Sequence, residues 1–226
     1  MRLSFLKPVN GWRGFVTELA IVVLGVLIAL GTQQAVDEWQ GKRNVVALRE
    51  ALDAELANNL DAYAGRIDQS ACLATRLDQL ERWQRDWRDG SGPALDGEIG
   101  RPLAYGLRFN VWRTGASTVA AYMSLKQRLD YASLYDRFES YDSLRLREVA
   151  TWQGLFAYDG ATRLSPQEVN TLRGLILWAR STDRSMRANF SGIKQSVIDL
   201  GIKPLPRGTD RGRLPNGLCP PLRTRA

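Results

Sequence analysis

The first long apolar run of the chain contains no charged or strongly polar position. It extends without interruption from Leu19 to Leu30, and apolar flanks widen it to residues Gly14 to Val36. A helix of about 20 apolar residues crosses a hydrocarbon core of about 30 Å. The pattern therefore predicts one transmembrane helix over residues 14–36.

Two tryptophans bracket this segment. Trp12 and Trp39 lie 27 residues apart, which in a helix corresponds to about 40 Å, the distance between the two headgroup layers where indole rings concentrate. A cleaved secretory signal is the alternative, because a basic start and the small residues Ala29 and Gly31 also fit that pattern. Glu18 interrupts the apolar start and helical periodicity resumes soon after the span, which favours an uncleaved anchor.

One face of the predicted span carries small and polar residues. Glu18, Val22, Gly25, Ala29 and Thr32 follow each other at steps of four and three. Gly25 and Ala29 form a pair of small residues that would let a second helix approach, so a homo-oligomer through the span is one interpretation and chance composition is the other. Glu18 lies about one turn inside the segment and can extend to the headgroups, the alternative being a functional acid in the membrane.

The charges that flank the span bear on its orientation. Residues 1–13 carry three basic side chains and no acid, whereas Lys42, Arg43 and Arg49 are mixed with acidic residues. The Lys and Arg counts nearly balance, and these residues set topology. The short leading segment favours a cytoplasmic amino terminus and a periplasmic location for the bulk of the chain.

Helical periodicity continues after the span. From Lys42 to Asp89, apolar residues recur at steps of three or four and predict one long helix. These residues are Val45, Leu48, Leu52, Leu56, Leu60, Tyr63, Ile67, Ala71, Ala74 and Leu77. Turn-forming residues 89–93 end the helix, and the glycines of residues 94–109 predict an irregular connection.

Two further helices precede residue 158. The first is predicted from Asn110, as N-cap, to Tyr122, and the capping box of Ser124 with Gln127 predicts a second over residues 125–157. Its inward face would hold Tyr131, Leu134, Phe138, Tyr141, Val149, Trp152 and Phe156. Aromatic residues at helical spacing indicate core packing more often than a ligand platform.

The clearest pattern comes last. Ser165, Pro166 and Glu168 supply an N-cap, a proline at the first helical position and a capping-box acid. The apolar spacing that follows is typical of a helix that faces other helices in a bundle or coiled coil. Its members are Val169, Leu172, Ile176, Ala179, Asp183, Met186, Phe190, Ile193, Val197 and Leu200. Gly201 and Pro204 end the helix.

The elements together predict an all-α fold, in which an N-terminal transmembrane helix leads into a long helix and an antiparallel helical bundle. We expect a short basic cytoplasmic tail (residues 1–13), the span (14–36), the bundle domain (37–200) and a Pro- and Arg-rich tail (201–226) that is extended or partly disordered.

Asp183 is the one charged residue on the apolar face of the last helix. An unpaired carboxylate in a bundle core would be costly, so Asp183 either contacts a partner in the core or lies where the bundle opens to water. Arg180 and Arg187 are within helical reach of it. An exposed gap in the stripe, a buried polar contact and a ligand-binding role all remain open.

Two segments carry a resemblance. ELAIVVLGVLIALGTQQAVDEW, which continues into a charged amphipathic helix, and FNVWRTGASTVAAYMSLKQRLDYASLYDRFESY resemble an uncharacterised family of bacterial single-pass membrane proteins with a domain of unknown function. The two segments cover about a quarter of the chain. The resemblance implies an N-terminal transmembrane helix with a helical domain at the bacterial inner membrane, and it supplies no site residues.

Composition argues against several classes of function. The net charge is +7, but residues 1–13 and 201–226 carry the excess and the middle of the chain is close to neutral, which is unlike a nucleic-acid-binding protein. Histidine, the commonest metal ligand and general base, is absent, and two cysteines cannot form a Cys-rich zinc site alone. No nucleotide-binding loop or nucleophile motif occurs. We therefore predict no catalytic, cofactor-binding or metal-binding residues, no cofactor and no enzyme activity.

The two cysteines are Cys72, in the first long helix, and Cys219, in the tail. An oxidising compartment would allow them to form a disulfide that ties the tail back, the alternative being two unpaired thiols. With the lipid bilayer and an unidentified protein as expected partners, the sequence favours an interaction or scaffold module. An envelope sensor or accessory subunit of a membrane complex is the alternative.

Overall fold

The computed structural model describes residues 11–88, 92–119, 123–206 and 218–225. Over these residues the chain forms five α-helices and two strands of two residues each, so the predicted all-α fold is confirmed. The elements in chain order are α1 (Gly11–Ile67), α2 (Ser70–Arg88), β1 (Ala94–Leu95), α3 (Asn110–Val119), α4 (Leu125–Phe156), α5 (Pro166–Asp199) and β2 (Thr224–Arg225). The basic tail predicted over residues 1–13 lies mostly outside the described residues.

The chain divides into two compact units, Met1–Arg49 and Glu50–Ala226, and the division falls within α1. The first unit holds the first part of α1, which among the described residues is long and apolar enough to cross a membrane. None of its most apolar stretch is buried, unlike the core helix of a soluble protein. The second unit holds the last part of α1 and all the other elements.

The second unit is an antiparallel helical bundle. Near one end of the α4–α5 pair, Arg137 Nη1 donates to Ser196 Oγ at 3.1 Å. Near the other end, the Leu175 side chain packs against Gly154, so closely that a Cβ added to Gly154 would lie 3.0 Å from Leu175 Cδ2. These contacts join the start of α4 to the end of α5 and the reverse, so the two helices run in opposite directions.

The single helix predicted from Lys42 to Asp89 is wrong at one point, because α1 ends at Ile67 and α2 begins at Ser70. Residues 68 and 69, which form the break, are neither glycine nor proline, although Gly65 lies in the last turn of α1. Its effect is a change of helical phase: Ala71 and Ala74, which an unbroken helix would turn inward, are exposed. The larger side chains of Leu73 and Leu80 are buried in their place, and Leu77 is buried as predicted.

The side chain of Gln69 at this break fastens the irregular connection to the bundle. Gln69 is fully buried, its Oε1 accepts from the Leu103 amide at 2.7 Å, and its Nε2 donates to the carbonyls of Gly65 and Leu103. Asn59 likewise bonds to the backbone of Arg108: its Nδ2 donates to the Arg108 carbonyl at 2.7 Å, and its Oδ1 accepts from the Arg108 amide at 2.8 Å. Two buried amides thus satisfy the backbone of a segment that has no regular partner.

Helix starts follow the local sequence closely. Both predicted capping boxes are present, with Ser124 and Gln127 at the start of α4 and Ser165 and Glu168 at the start of α5. Asn110 departs from the prediction, because it is the first residue of α3 rather than its cap. The predicted end of that helix at Tyr122 lies outside the described residues.

The predicted inward face of α4 is only partly correct. Tyr131, Leu134, Phe138, Tyr141 and Trp152 are buried as expected. Val149 and Phe156 are only half-buried, and the fully buried positions nearby are Glu148 and Leu155. The aromatic residues that are buried pack in the core, which supports core packing over a ligand platform.

The end of the described chain packs on the bundle. β2 pairs antiparallel with β1, with Ala94 opposite Arg225 and Leu95 opposite Thr224. Leu218 is buried in the hydrophobic cluster that α2, α4 and α5 share. The predicted tail is therefore packed on the bundle over residues 218–225, where β2 is extended as expected, and residues 207–217 lie outside the described part.

Replacing Gln69 with alanine should destabilise the bundle without unfolding it. The substitution leaves the Leu103 amide and carbonyl without their buried partner, which should lower the free energy of unfolding by about 1–3 kcal/mol. A urea titration of the full-length protein in detergent measures this, and Thr75→Ala, which removes an exposed hydrogen bond within α2, is the control. Equal losses of unfolding free energy for the two variants would contradict the role of Gln69 in holding the Leu103 backbone.

Candidate functional site

The predicted anchor residues all lie on α1 in the first unit. Trp12, Glu18, Gly25, Ala29, Thr32 and Trp39 are exposed. A Cβ built on Gly25 would meet no other atom within 4 Å, so its face is open in the single chain. Thr32 Oγ1 donates to the carbonyls of Ile28 and Ala29 at 2.9 Å, which satisfies the hydroxyl within its own helix. The Arg43 guanidinium lies 4.8 Å from the centre of the Trp39 ring.

The two cysteines are joined in the second unit. Cys72 and Cys219 form a disulfide with their Cα atoms 4.8 Å apart, across 147 positions of sequence. Hydrogen bonds reinforce the attachment: Arg76 Nη2 donates to the carbonyls of Leu218 and Pro220, and Gln79 Oε1 accepts from the Leu222 amide at 3.0 Å. The tail segment is thus held on α2 by one covalent bond and several polar contacts.

Asp183 lies in the core and is 3% exposed, so the alternative of an exposed gap in the stripe is wrong. Its Oδ1 accepts from Arg66 Nη2 at 3.1 Å and from Ser70 Oγ at 2.9 Å. Its Oδ2 accepts from Arg187 Nε at 2.8 Å. Of the two neighbouring arginines only Arg187 pairs with it, since Arg180 crosses to Asp78 and Glu81 on α2.

Arg66 is the centre of this arrangement. It is 0% exposed and Glu148 on α4 is 1% exposed. Arg66 Nε donates to Glu148 Oε2 at 2.7 Å, and Nη2 donates to Oε1. We call Arg66, Glu148, Asp183, Ser70 and Arg187 the buried charge cluster. Burial alone lowers the pKa of Arg66, but the hydrogen bonds and charge of Glu148, followed by those of Asp183, outweigh it, so the pKa is raised and Arg66 stays charged.

Aromatic side chains cover the buried charge cluster. Tyr63 stacks on Tyr141 with ring centres 3.6 Å apart, and Phe190 packs edge-on against Tyr63 at 5.1 Å. The Tyr63 hydroxyl donates to the Met186 carbonyl at 2.7 Å. Burial raises the pKa of both tyrosines, so they remain neutral. With its acids paired and its central residues out of solvent, the cluster has the form of a structural contact rather than a substrate site.

Sequence reasoning missed Arg66 and Glu148. One signal was present for the acid, since Leu134, Tyr141, Glu148 and Leu155 repeat at intervals of seven on α4 and all are buried. Arg66 follows Tyr63 by three positions and therefore shares its helix face. Both were missed because charged residues in an amphipathic helix were assigned to the face in contact with solvent.

A second polar group joins α1 to α4 beside α3. The Tyr131 hydroxyl donates to Asp53, and the Tyr135 hydroxyl donates to Glu55 Oε1 at 2.8 Å. Glu55 also accepts from the Val111 amide, at 3.1 Å. Burial and, after it, the hydrogen bond to Glu55 raise the pKa of Tyr135. This group positions the start of α3 on the bundle.

An apolar pocket lies next to this group. Trp112 stacks on Tyr135, with ring centres 4.9 Å apart and an interplanar angle of 13°, and forms one wall. The pocket has a volume of about 270 Å³, and its lining includes Leu52, Trp112, Met123, Leu125, Arg128 and Leu129. Leu125 and Leu129 are 62% and 59% exposed, so apolar surface continues from the pocket to the outside of α4.

Among residues 11–88, 92–119, 123–206 and 218–225, no group of three or more Cys, Asp or Glu side chains is placed to hold a metal ion. Comparison with models of protein families, with curated proteins and with solved structures gave no match. The site is therefore interpreted from its own geometry.

Removal of Arg66, the central residue of the buried charge cluster, should destabilise the bundle strongly. Arg66→Met leaves two carboxylates in the core without their main countercharge, and we expect unfolding to become easier by about 3–5 kcal/mol. Arg187→Met is the matched control, because half of the Arg187 side chain is in solvent and its loss should cost within about 1 kcal/mol. Urea titration measures both, and similar costs for the two variants would show that Arg66 is not the central partner.

Reduction of the disulfide should destabilise the second unit and release the tail segment. Opening a loop of this length removes up to about 5 kcal/mol on the chain-entropy model. Thermal unfolding with and without a thiol reductant measures the change. A Cys72→Ser, Cys219→Ser double variant should unfold at the same temperature as the reduced parent, and the reductant should not change that temperature. Equal numbers of alkylated thiols in reduced and unreduced denatured parent would rule the bond out.

Proposed function

We propose that this chain is a membrane-anchored helical-bundle protein that acts as an interaction or scaffold module at the bacterial inner membrane. The observation that carries the proposal is the exposed apolar helix: its most apolar stretch is entirely unburied although the helix is long enough to span a bilayer. Such a surface is stable in lipid and costly in water. Trp12 and Trp39, both exposed at its flanks, suit the two interfaces.

The disulfide supports a location outside the cytoplasm. Bonds such as that between Cys72 and Cys219 persist in the periplasm and are rare where thioredoxin and glutathione keep thiols reduced. Together with an uncleaved anchor, this location implies an amino terminus in the cytoplasm. We propose that topology, with the bundle in the periplasm.

Binding rather than catalysis is supported by where the reactive groups lie. Arg66, Glu148 and Asp183 are buried and paired, so the strongest cluster of titratable groups is closed to substrate. Large apolar side chains are exposed instead, including Leu177 and Trp178 on α5. Tryptophan is enriched among the residues that dominate protein interfaces, so this part of α5 is suited to contact a partner.

An envelope sensor or accessory subunit is the second candidate. Its support is that α1 contains both the apolar span and buried residues of the bundle such as Leu52 and Leu56. A partner that bound the span and a partner that bound the bundle would therefore act on one helix. The resemblance to bacterial single-pass membrane proteins fits both candidates.

The anchor is tested by placing charge in the span. Leu24→Arg with Leu27→Arg should move the protein from carbonate-washed membranes to the soluble fraction, because each arginine near the centre of a span costs about 2.5–3.5 kcal/mol on insertion scales. Leu146→Arg with Leu177→Arg, on exposed positions of α4 and α5, is the matched control and should leave the protein in the membrane. Membrane retention of the span variant would contradict the proposal.

The orientation has its own readout in the same cells. A reporter enzyme that needs disulfide bonds, fused after Ala226, should be active, while a reporter that works only in the cytosol should be silent. The reverse pattern would place the bundle in the cytoplasm.

A further inference from the structure

A half-buried cationic side chain lies in the wall of the apolar pocket. Arg128 lines the pocket among leucine, methionine and tryptophan side chains. Its Nε is shielded from solvent and has no hydrogen-bond partner among the described residues. A buried donor on a charged group normally finds an acceptor, since leaving it unpaired costs more than leaving a neutral group unpaired. The missing acceptor is thus expected from outside the described structure.

Charge and shape together specify the chemistry of that acceptor. The other described residues that line the pocket are apolar, and Leu125 and Leu129 extend the apolar surface outward. A ligand that fills it must therefore combine a hydrocarbon part with an anionic group that can accept from a guanidinium. We propose that the pocket binds one acyl chain of an anionic membrane lipid, with the lipid headgroup at Arg128.

The nearby acids do not supply the acceptor. Asp53 and Glu55 are taken up by the hydroxyls of Tyr131 and Tyr135, and Asp130 pairs with Lys126 at 2.7 Å. The Nε of Arg128 is therefore left without a hydrogen-bond acceptor among the described residues.

A membrane lipid is favoured over a protein segment for two reasons. The volume of about 270 Å³ suits part of a single chain and is below the usual range for drug-sized ligands. The same polypeptide carries the apolar helix of the proposed anchor, which would keep bilayer lipids at high local concentration. The inference in this respect rests on the proposed membrane location.

The test uses the full-length protein in nanodiscs whose lipids carry brominated acyl chains, which quench tryptophan fluorescence on contact. Trp112 lies in the pocket wall, and its signal is the difference between the parent and Trp112→Phe. Brominated phosphatidylglycerol should quench Trp112, and brominated phosphatidylcholine at the same content should not. Arg128→Gln should weaken the apparent affinity about tenfold, as expected for loss of a charge-assisted hydrogen bond.

Two further variants separate the pocket from the general surface. Leu129→Asp should abolish quenching of Trp112, and Leu146→Asp, at an equally exposed leucine elsewhere on α4, should not change it. Arg184→Gln, at an exposed arginine of α5, is the control for Arg128. Because Leu129 is exposed, circular dichroism should show an intact fold for the Leu129→Asp protein.

The outcomes distinguish this inference from the proposed function. Quenching of Trp39 by either lipid, measured against Trp39→Phe, reports the anchor independently of the pocket. Trp39 quenched and Trp112 unaffected would overturn the lipid site while leaving the anchor in place, and neither quenched would overturn the anchor. If Trp112 is quenched equally by both lipids, or equally in the parent and in Arg128→Gln, the anionic-lipid assignment is overturned. A Trp112 that is unquenched but crosslinks between copies would assign the pocket to a second copy of this chain.

Discussion

The bundle depends on how one buried guanidinium is satisfied. Arg66 enters the core from α1, and its removal from water is repaid only if well-placed carboxylates surround it. Glu148 from α4 and Asp183 from α5 meet it at hydrogen-bonding distance. A shift of either helix by one turn, about 5.4 Å, would separate these atoms. The ion pairs therefore select one register of the three helices, a role that the apolar residues around them cannot perform as strictly.

The same contacts explain why the helix breaks where it does. Arg66 is in the last turn of α1 and Ser70 is the first residue of α2, and Asp183 Oδ1 accepts from both. Gln69 between them bonds to Gly65 and Leu103. The break thus lies among side chains whose polar partners are on other elements. It also turns Leu73 inward in place of Ala71 and Ala74, so polar satisfaction and apolar burial favour the same local geometry.

Local signals predicted the elements well, and contacts between distant residues were missed. The capping boxes at Ser124 and Ser165 marked the starts of α4 and α5 because their bonds join residues three positions apart. The break before Ser70 has no local marker, since its cause lies in α5 and in the connection after α2. The docking of residues 218–225 depends on pairing with β1, which no pattern within the tail reveals. Asp183 drew attention as a charge on an apolar face, but its partner Arg66 resembled an ordinary solvent-facing residue.

This division of polar groups bears on where function can reside. Each member of the buried charge cluster is held by another, so a ligand that competed for Glu148 or Asp183 would have to break contacts that fix the helix register. Arg128 is different, because its Nε lacks a partner among the described residues and its pocket is already open beside exposed leucines. Binding there would satisfy a group rather than displace one. A fixed interior with an incomplete surface contact supports the proposed recognition of a partner or a lipid over chemistry in the core.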